Sequence, residues 1–169
     1  MRGADLLRRW QQAQGSALGR KLFSLALGRA VPYTGSIKPE VLELAPGRAC
    51  VAMRDRRAVR NHLRSIHAIA LVNLGEVTSG LALLVGLPDD ARGIVKGLSI
   101  EYRKKARGRL VARTECTPPS DNTKRDLTVE ATLSDQEGDT VAVVHVEWRI
   151  SPVEASRSTE ATPSAKGTQ

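Results

Sequence analysis

Residues 66–87 constrain this chain more than any other stretch. Ile66, Ile69, Leu71, Val72, Leu74, Val77, Leu81, Leu83, Leu84, Val85 and Leu87 occupy nearly every face of a helix. A helix that is apolar all round is buried, not laid on a surface. Gly86 and Pro88 supply its end. Whatever else this chain does, it must wrap one long helix. The run also holds a single carboxylate, Glu76, where an unpaired charge is costly.

The wrapping has to come from strands. Hydrophobic residues make up 41% of the 169, but aromatics only 3%, so the core is built from Leu, Val, Ala and Ile. Residues 36–55 read as two strands around a turn at Pro46-Gly47, with Ala49, Val51 and Met53 alternating after it. Four alternating segments follow the helix, at 93–105, 108–118, 125–135 and 139–150. The pattern is clearest in Leu127-Val129-Ala131-Leu133 and Val144-Val146-Trp148-Ile150. These four are expected to form an antiparallel meander against the helix. The fold class is therefore α+β. One sheet covers about one side of a helix, so a second copy of the chain is expected to complete the enclosure.

The ends are simpler. Residues 4–27 carry apolar side chains at helical spacing from Leu6 to Leu25, with Gly28 as C-cap, which predicts one N-terminal helix. The basic N-terminus lacks the compact apolar centre and cleavage site of a secretory signal and reads as an amphipathic helix, a mitochondrial presequence being the competing reading. Residues 152–169 are rich in Ser, Thr, Pro and Ala, which predicts a disordered tail. The expected organisation is a helical extension over 1–30, a domain over 31–151 and that tail.

Composition narrows the function. The net charge of +8 favours an anionic partner. A nucleic-acid binder is one such reading, but the chain has no aromatic stacking platform and no recognition motif. No apolar run reaches membrane-spanning length without interruption. Cys50 and Cys116 stand too far apart for a metal motif or a disulfide framework. They read as small buried apolar residues in a reducing, cytoplasmic protein. No metal and no separate cofactor is expected.

The stretch "RNHLRSIHAIALVNLGEVTSG", residues 60–80, gathers the polar residues that matter. Ser65 is a good N-cap type for the long helix. The amides after it form a helix N-terminus, where a carbonyl oxygen gaining negative charge is stabilised. Asn61 and His67 flank that mouth. Glu76 lies nine residues beyond His67, a rise of roughly 13–14 Å and about half a turn away. The mouth and the carboxylate of one chain therefore cannot reach the same atom. Two helices antiparallel across a two-fold axis would bring each Glu76 to the other's mouth. The bland alternative is a polar stripe of Asn73, Glu76 and Gly80 that lets the carboxylate reach solvent.

Asn61, His67 six residues on, Glu76 nine further, and the later "SIEYRKKARGRLVARTEC" together resemble the hotdog-fold acyl-CoA thioesterases of the phenylacetic-acid-degradation type, over residues 35–151. The resemblance points to a branch with an additional N-terminal helix. It implies an antiparallel sheet wrapped around the central helix and a homodimer, or a dimer of such dimers. It places Asn61 by the thioester or the attacking water and the amide of Ala68, beside His67, on the thioester carbonyl. Glu76 of the partner subunit becomes general base or nucleophile. Where that family has a glycine pair after the histidine, this chain has Ala68-Ile69, and Gly80 stands where a hydroxyl is often found, with Thr78 and Ser79 near it. The basic residues around Arg57 and Arg107 then acquire the phosphates of CoA as partners, with Arg103, Lys104 and Lys105 singled out. The alternative the substituted glycines raise is a protein that binds an acyl-CoA or fatty acyl group without cleaving it.

Overall fold

The computed structural model describes residues 2–153; the expected tail lies outside them from 154 onward. The N-terminal segment is two helices, α1 (Gly3–Ala13) and α2 (Ala17–Ala30), where the spacing predicts one. The break is local chemistry. Ser16 takes an extended backbone and its Oγ accepts from the amide of Gly19 at 3.0 Å, starting a new helix. The two helices lock through Trp10 and Phe23, whose rings meet edge-to-face at 5.1 Å. A short turn of helix, α3 (Pro32–Gly35), folds back on α2. A Cβ on Gly35 would lie 2.2 Å from the carbonyl oxygen of Gly28, so only glycine permits that approach.

Strands β1 (Glu40–Ala45) and β2 (Arg48–Met53) form the expected hairpin, with Gly47 at φ 75° in its turn. A short 3-10 turn over Arg57–Val59 interrupts the basic loop that follows. The long helix, α4 (Ala68–Leu84), comes next, then β3 (Ala91–Tyr102), β4 (Leu110–Glu115), β5 (Arg125–Ser134) and β6 (Thr140–Pro152). All six strands form one antiparallel sheet in the order β1-β2-β4-β5-β6-β3.

That order corrects the meander. Strands β4, β5 and β6 run as one, but β3 pairs with β6 at the far edge and not with β4. The connection after β3 is diverted across the entrance of α4. Ala106 is buried there, and its carbonyl accepts from the amide of Ile66 at 2.8 Å and from Ser65 Oγ at 2.8 Å. The chain thus reaches β2 and pairs β4 beside it.

The sheet curls around α4, which packs on β2, β4, β5 and β6. Small residues set the approach: a Cβ on Gly75 would lie 2.5 Å from the Val144 side chain, and one on Gly80 would lie 3.2 Å from the Trp148 ring. The polar residues inside are satisfied. Thr78 Oγ1 donates to the Leu74 carbonyl at 2.6 Å, Ser79 Oγ to the Glu76 carbonyl at 2.9 Å, and Trp148 Nε1 to Ser79 Oγ at 3.3 Å. Only one stripe of α4 escapes enclosure: Ile69 is exposed, and Val72 and Glu76 are half-buried.

The two edges of the sheet differ. At β1 the amide of Val41 is taken up by Ser24 Oγ of α2 at 2.9 Å, so α2 shields that edge. At the other end β3 has no strand beside its outer edge among the described residues. Leu98 and Tyr102, opposite inward-facing Val146 and Ala142 of β6, remain exposed on the helix side. No described helix is long and apolar enough to cross a membrane.

Candidate functional site

The loop between β2 and α4 is held by short-range hydrogen bonds that its sequence dictates. Asp55 accepts from Arg60 Nε at 2.6 Å and from the amide of Gly108 at 3.1 Å, and Arg60 holds this carboxyl below the usual range. Asn61 Oδ1 accepts from the amides of Leu63 at 2.9 Å and Ser65 at 3.2 Å. Asn is suited to such a turn because its side chain mimics a backbone acceptor. Its oxygen is therefore committed to bracing the loop. The turn brings Arg60 and Ile66 side by side, and the amide of His67 donates to the Val59 carbonyl at 2.8 Å.

Helix α4 begins two residues later than expected, at Ala68. Ser65 does not cap it, because its hydroxyl is turned to Ala106. His67 is the N-cap: its Nδ1 accepts from the amide of Ile69 at 3.1 Å, and its carbonyl accepts from those of Ala70 and Leu71. An accepting Nδ1 puts the ring proton of neutral His67 on Nε2. Of the first four amides of the helix, only that of Ala68 has no partner among the described residues. One amide at the positive end of a buried helix is thus available to an oxygen ligand.

Beside this mouth lies a cleft of about 200 Å³. Its walls are Tyr33, Ser36 and Ile37 from around α3, Ala58 to Arg60 from the loop, and His67, Ile69, Ala70 and Asn73 from α4. Asn73 fixes one wall: it is buried, and its Nδ2 donates to the Tyr33 carbonyl at 3.2 Å. The side chain of Ile69 is 51% exposed at the cleft, where the resemblance places a glycine. Tyr33 and the tether to Asn73 went unnoticed in the sequence, because a contact 40 residues apart leaves no periodic signal. A larger hollow of about 290 Å³ between α1, α2 and β1 contains none of the expected residues.

Glu76 stands apart from this cleft. Asn73 turns to Tyr33 and Gly80 packs on Trp148, so the three do not form one polar stripe, but Glu76 itself is half-buried and reaches solvent along the uncovered face. Its carboxylate has no hydrogen-bond or ion-pair partner among the described residues, and burial pushes its pKa up. It shares the uncovered stripe of α4 with Ile69 and Val72, at i, i+3 and i+7. Thr78 and Ser79 cannot supply a reactive hydroxyl in its place, because both are buried and committed to helix carbonyls.

The three basic residues singled out from the sequence separate. Lys104 Nζ sits between Asp135 at 2.7 Å and Asp139 at 2.6 Å, and both carboxylates raise its pKa. Arg103 reaches Glu101 at 3.3 Å. Lys105 is exposed with no partner among the described residues, as are Arg57 and Arg64, whereas the charge of Arg107 acts on Asp55. Among the described residues no group of three His, Cys, Asp or Glu side chains is placed to hold a metal.

With this geometry in hand, the similarities to known proteins can be weighed. Residues 19–150 match a family described as a domain of unknown function (DUF4442). No curated protein matches the chain. Among solved structures, a structural-genomics target designated APC5556 is 29% identical, with 89% of this chain and 99% of that one covered and a TM-score of 0.77. A Pseudomonas aeruginosa protein of unknown function, described as a probable thioesterase, is 22% identical over 80% of this chain and 95% of its own, at 0.67. A thioesterase from Haemophilus influenzae is 12% identical over 78% and 92%, also at 0.67. These likenesses carry the fold: a six-stranded antiparallel sheet around a long helix is the hotdog architecture that the resemblance implied.

Proposed function

This chain belongs to the DUF4442 family, and from that membership and its hotdog architecture we propose that it is an acyl-CoA thioesterase working as a cytoplasmic homodimer. The observation that carries the reading is the separation of its two reactive features. The free amide of Ala68 lies at the mouth of α4, and the unpartnered carboxylate of Glu76 lies on the helix's one uncovered stripe. Two copies joined along their β3 edges cover both stripes and bring the Glu76 of each toward the mouth of the other.

The chemistry follows. The thioester carbonyl accepts from the amide of Ala68, which stabilises the oxyanion as it forms. The partner subunit's Glu76 takes a proton from water as the water attacks. The C–S bond then breaks, and CoA leaves as the thiol on receiving that proton while the acyl group leaves as the acid. If that carboxylate attacks the carbonyl instead, CoA thiolate leaves with a solvent proton and water hydrolyses the resulting anhydride. Burial raises the basicity of that carboxylate, which suits it to either role. His67 holds the amide of Ile69 and so shapes the mouth, and Asn61 fixes the loop that leads to it. Arg57, Arg64 and Lys105, unpaired among the described residues, are the cations available to CoA phosphates.

The test is CoA release from a panel of acyl-CoA esters, from short to long. Hydrolysis of at least one ester is expected, with kcat lowered by about 10²-fold or more in Glu76→Gln. Failure to hydrolyse any member ends the catalytic reading. One observation favours a second reading, a hotdog protein that binds an acyl-CoA or fatty acyl group without cleaving it: a branched side chain, Ile69, lines the cleft where the resemblance has a glycine. Binding without turnover, converted to turnover in Ile69→Gly, would identify that side chain as the cause.

A further inference from the structure

Helix α2 is apolar on two faces. Phe23, Ser24 and Leu27 are buried against the domain. On the opposite side Leu18, Leu22 and Leu25, at i, i+4 and i+7, are 66%, 56% and 51% exposed. Val31 and Tyr33, at the junction with α3, are exposed as well. A helix buries one apolar stripe when it packs on its own domain, so a second stripe calls for a second cover.

The charge around the stripe says what cover it suits. No Asp or Glu occurs between Leu6 and Pro39, whereas Arg8, Arg9, Arg20, Lys21, Arg29 and Lys38 all fall there. Lys21 and Arg29 are exposed on α2 beside the leucines, and Arg2, Arg8 and Arg9 are exposed at α1. A second copy would set one acid-free cationic flank against another. The leucines also span only about 10 Å along the helix, narrow for a protein interface of roughly 800 Å² per partner. A bilayer needs no matching surface. It takes up a short apolar ridge, and lysine and arginine stems let their charged ends rest at the headgroups. We propose that α2 and the α2–α3 junction dock the protein on an anionic lipid surface. Tyr33, exposed at that junction, also lines the cleft beside His67, so docking there would set the rim of that cleft at the bilayer. Binding to lipid is independent of whether the cleft is catalytic.

The experiment is co-sedimentation of the full chain with vesicles of phosphatidylcholine alone and of phosphatidylcholine mixed with phosphatidylglycerol. Binding is expected to the mixed vesicles and to weaken with salt. In Lys21→Ser/Arg29→Ser the partition coefficient should fall about fivefold for each cation removed. Leu18→Ser/Leu22→Ser/Leu25→Ser should abolish binding while leaving the melting transition in place, since these side chains touch solvent. Absence of binding to the mixed vesicles, or binding that either variant leaves unchanged, overturns the proposal. So does light scattering that shows self-association of the native chain lost in the triple serine variant, because a second copy would then be the cover.

Discussion

The imidazole Nδ1 of His67 caps the amide of Ile69 at 3.1 Å, and the neighbouring amide of Ala68 is left without a partner. One residue therefore both starts the helix and decides which amide is free. Replacing a capping side chain by alanine costs about 1 kcal/mol. His67→Ala should lower stability by about that amount, whereas His67→Asn, whose side-chain oxygen can cap, should recover most of it. Urea unfolding of the two variants checks this. Equal losses would show that the imidazole has no capping role.

Glu76 gives a dependence on pH with a definite sign. Burial raises its folded-state pKa above the ordinary 4.5, so the folded chain holds this proton more tightly than the unfolded chain. Its contribution to stability is fully present below 4.5 and is lost as pH rises through the raised folded value. Glu76→Gln stays neutral throughout. The variant should therefore be more stable than the native chain at neutral pH, with the gap closing in acid. Thermal unfolding across that range measures the gap. A gap that widens in acid would mean that an unseen cation holds the carboxylate.

The enclosure of α4 was legible because its apolar residues leave no polar face, and the hairpin because Pro46-Gly47 punctuates two alternating runs. Local order alone could not place β3. Its pairing depends on the path of residues 103–109 over the helix entrance, which two hydrogen bonds to the Ala106 carbonyl fix. The same nonlocal contact takes Ser65 away from the N-cap position that its residue type suggests. At the site, the mismatch between Glu76 and its surroundings was visible as a charge inside an apolar run. The wall made by Tyr33 was not, because Asn73 reads as ordinary helix until its partner 40 residues earlier is known.

The two lysines beyond β3 should behave differently although they are adjacent in sequence. Lys104 is held by Asp135 and Asp139 in the β5–β6 turn, while Lys105 is unpaired. Lys105→Ala should raise KM for an acyl-CoA by severalfold with little change in kcat. Lys104→Ala should leave KM alone and lower the melting temperature slightly, as expected for a solvent-exposed pair. Steady-state kinetics and melting curves on both variants separate these effects. An increase in KM for Lys104→Ala alone would reverse the assignment of the phosphate contact.

Gly75 tests how closely α4 sits on the sheet. A Cβ there would lie 2.5 Å from the Cβ and Cγ2 of Val144, in an interior strand flanked by β5 and β3. That strand is paired on both sides and cannot retreat. Gly75→Ala gains helix propensity but overpacks the core, and a net loss of about 1–3 kcal/mol is expected. Gly15 provides the contrast. Nothing lies within 4 Å of the Cβ it would gain, and its backbone has no positive φ. Gly15→Ala should therefore be neutral or stabilising by about 0.4–1 kcal/mol, through a less flexible unfolded chain. Chemical denaturation of the pair decides the matter. If both alanines are tolerated equally, the helix does not close on β6 at that distance.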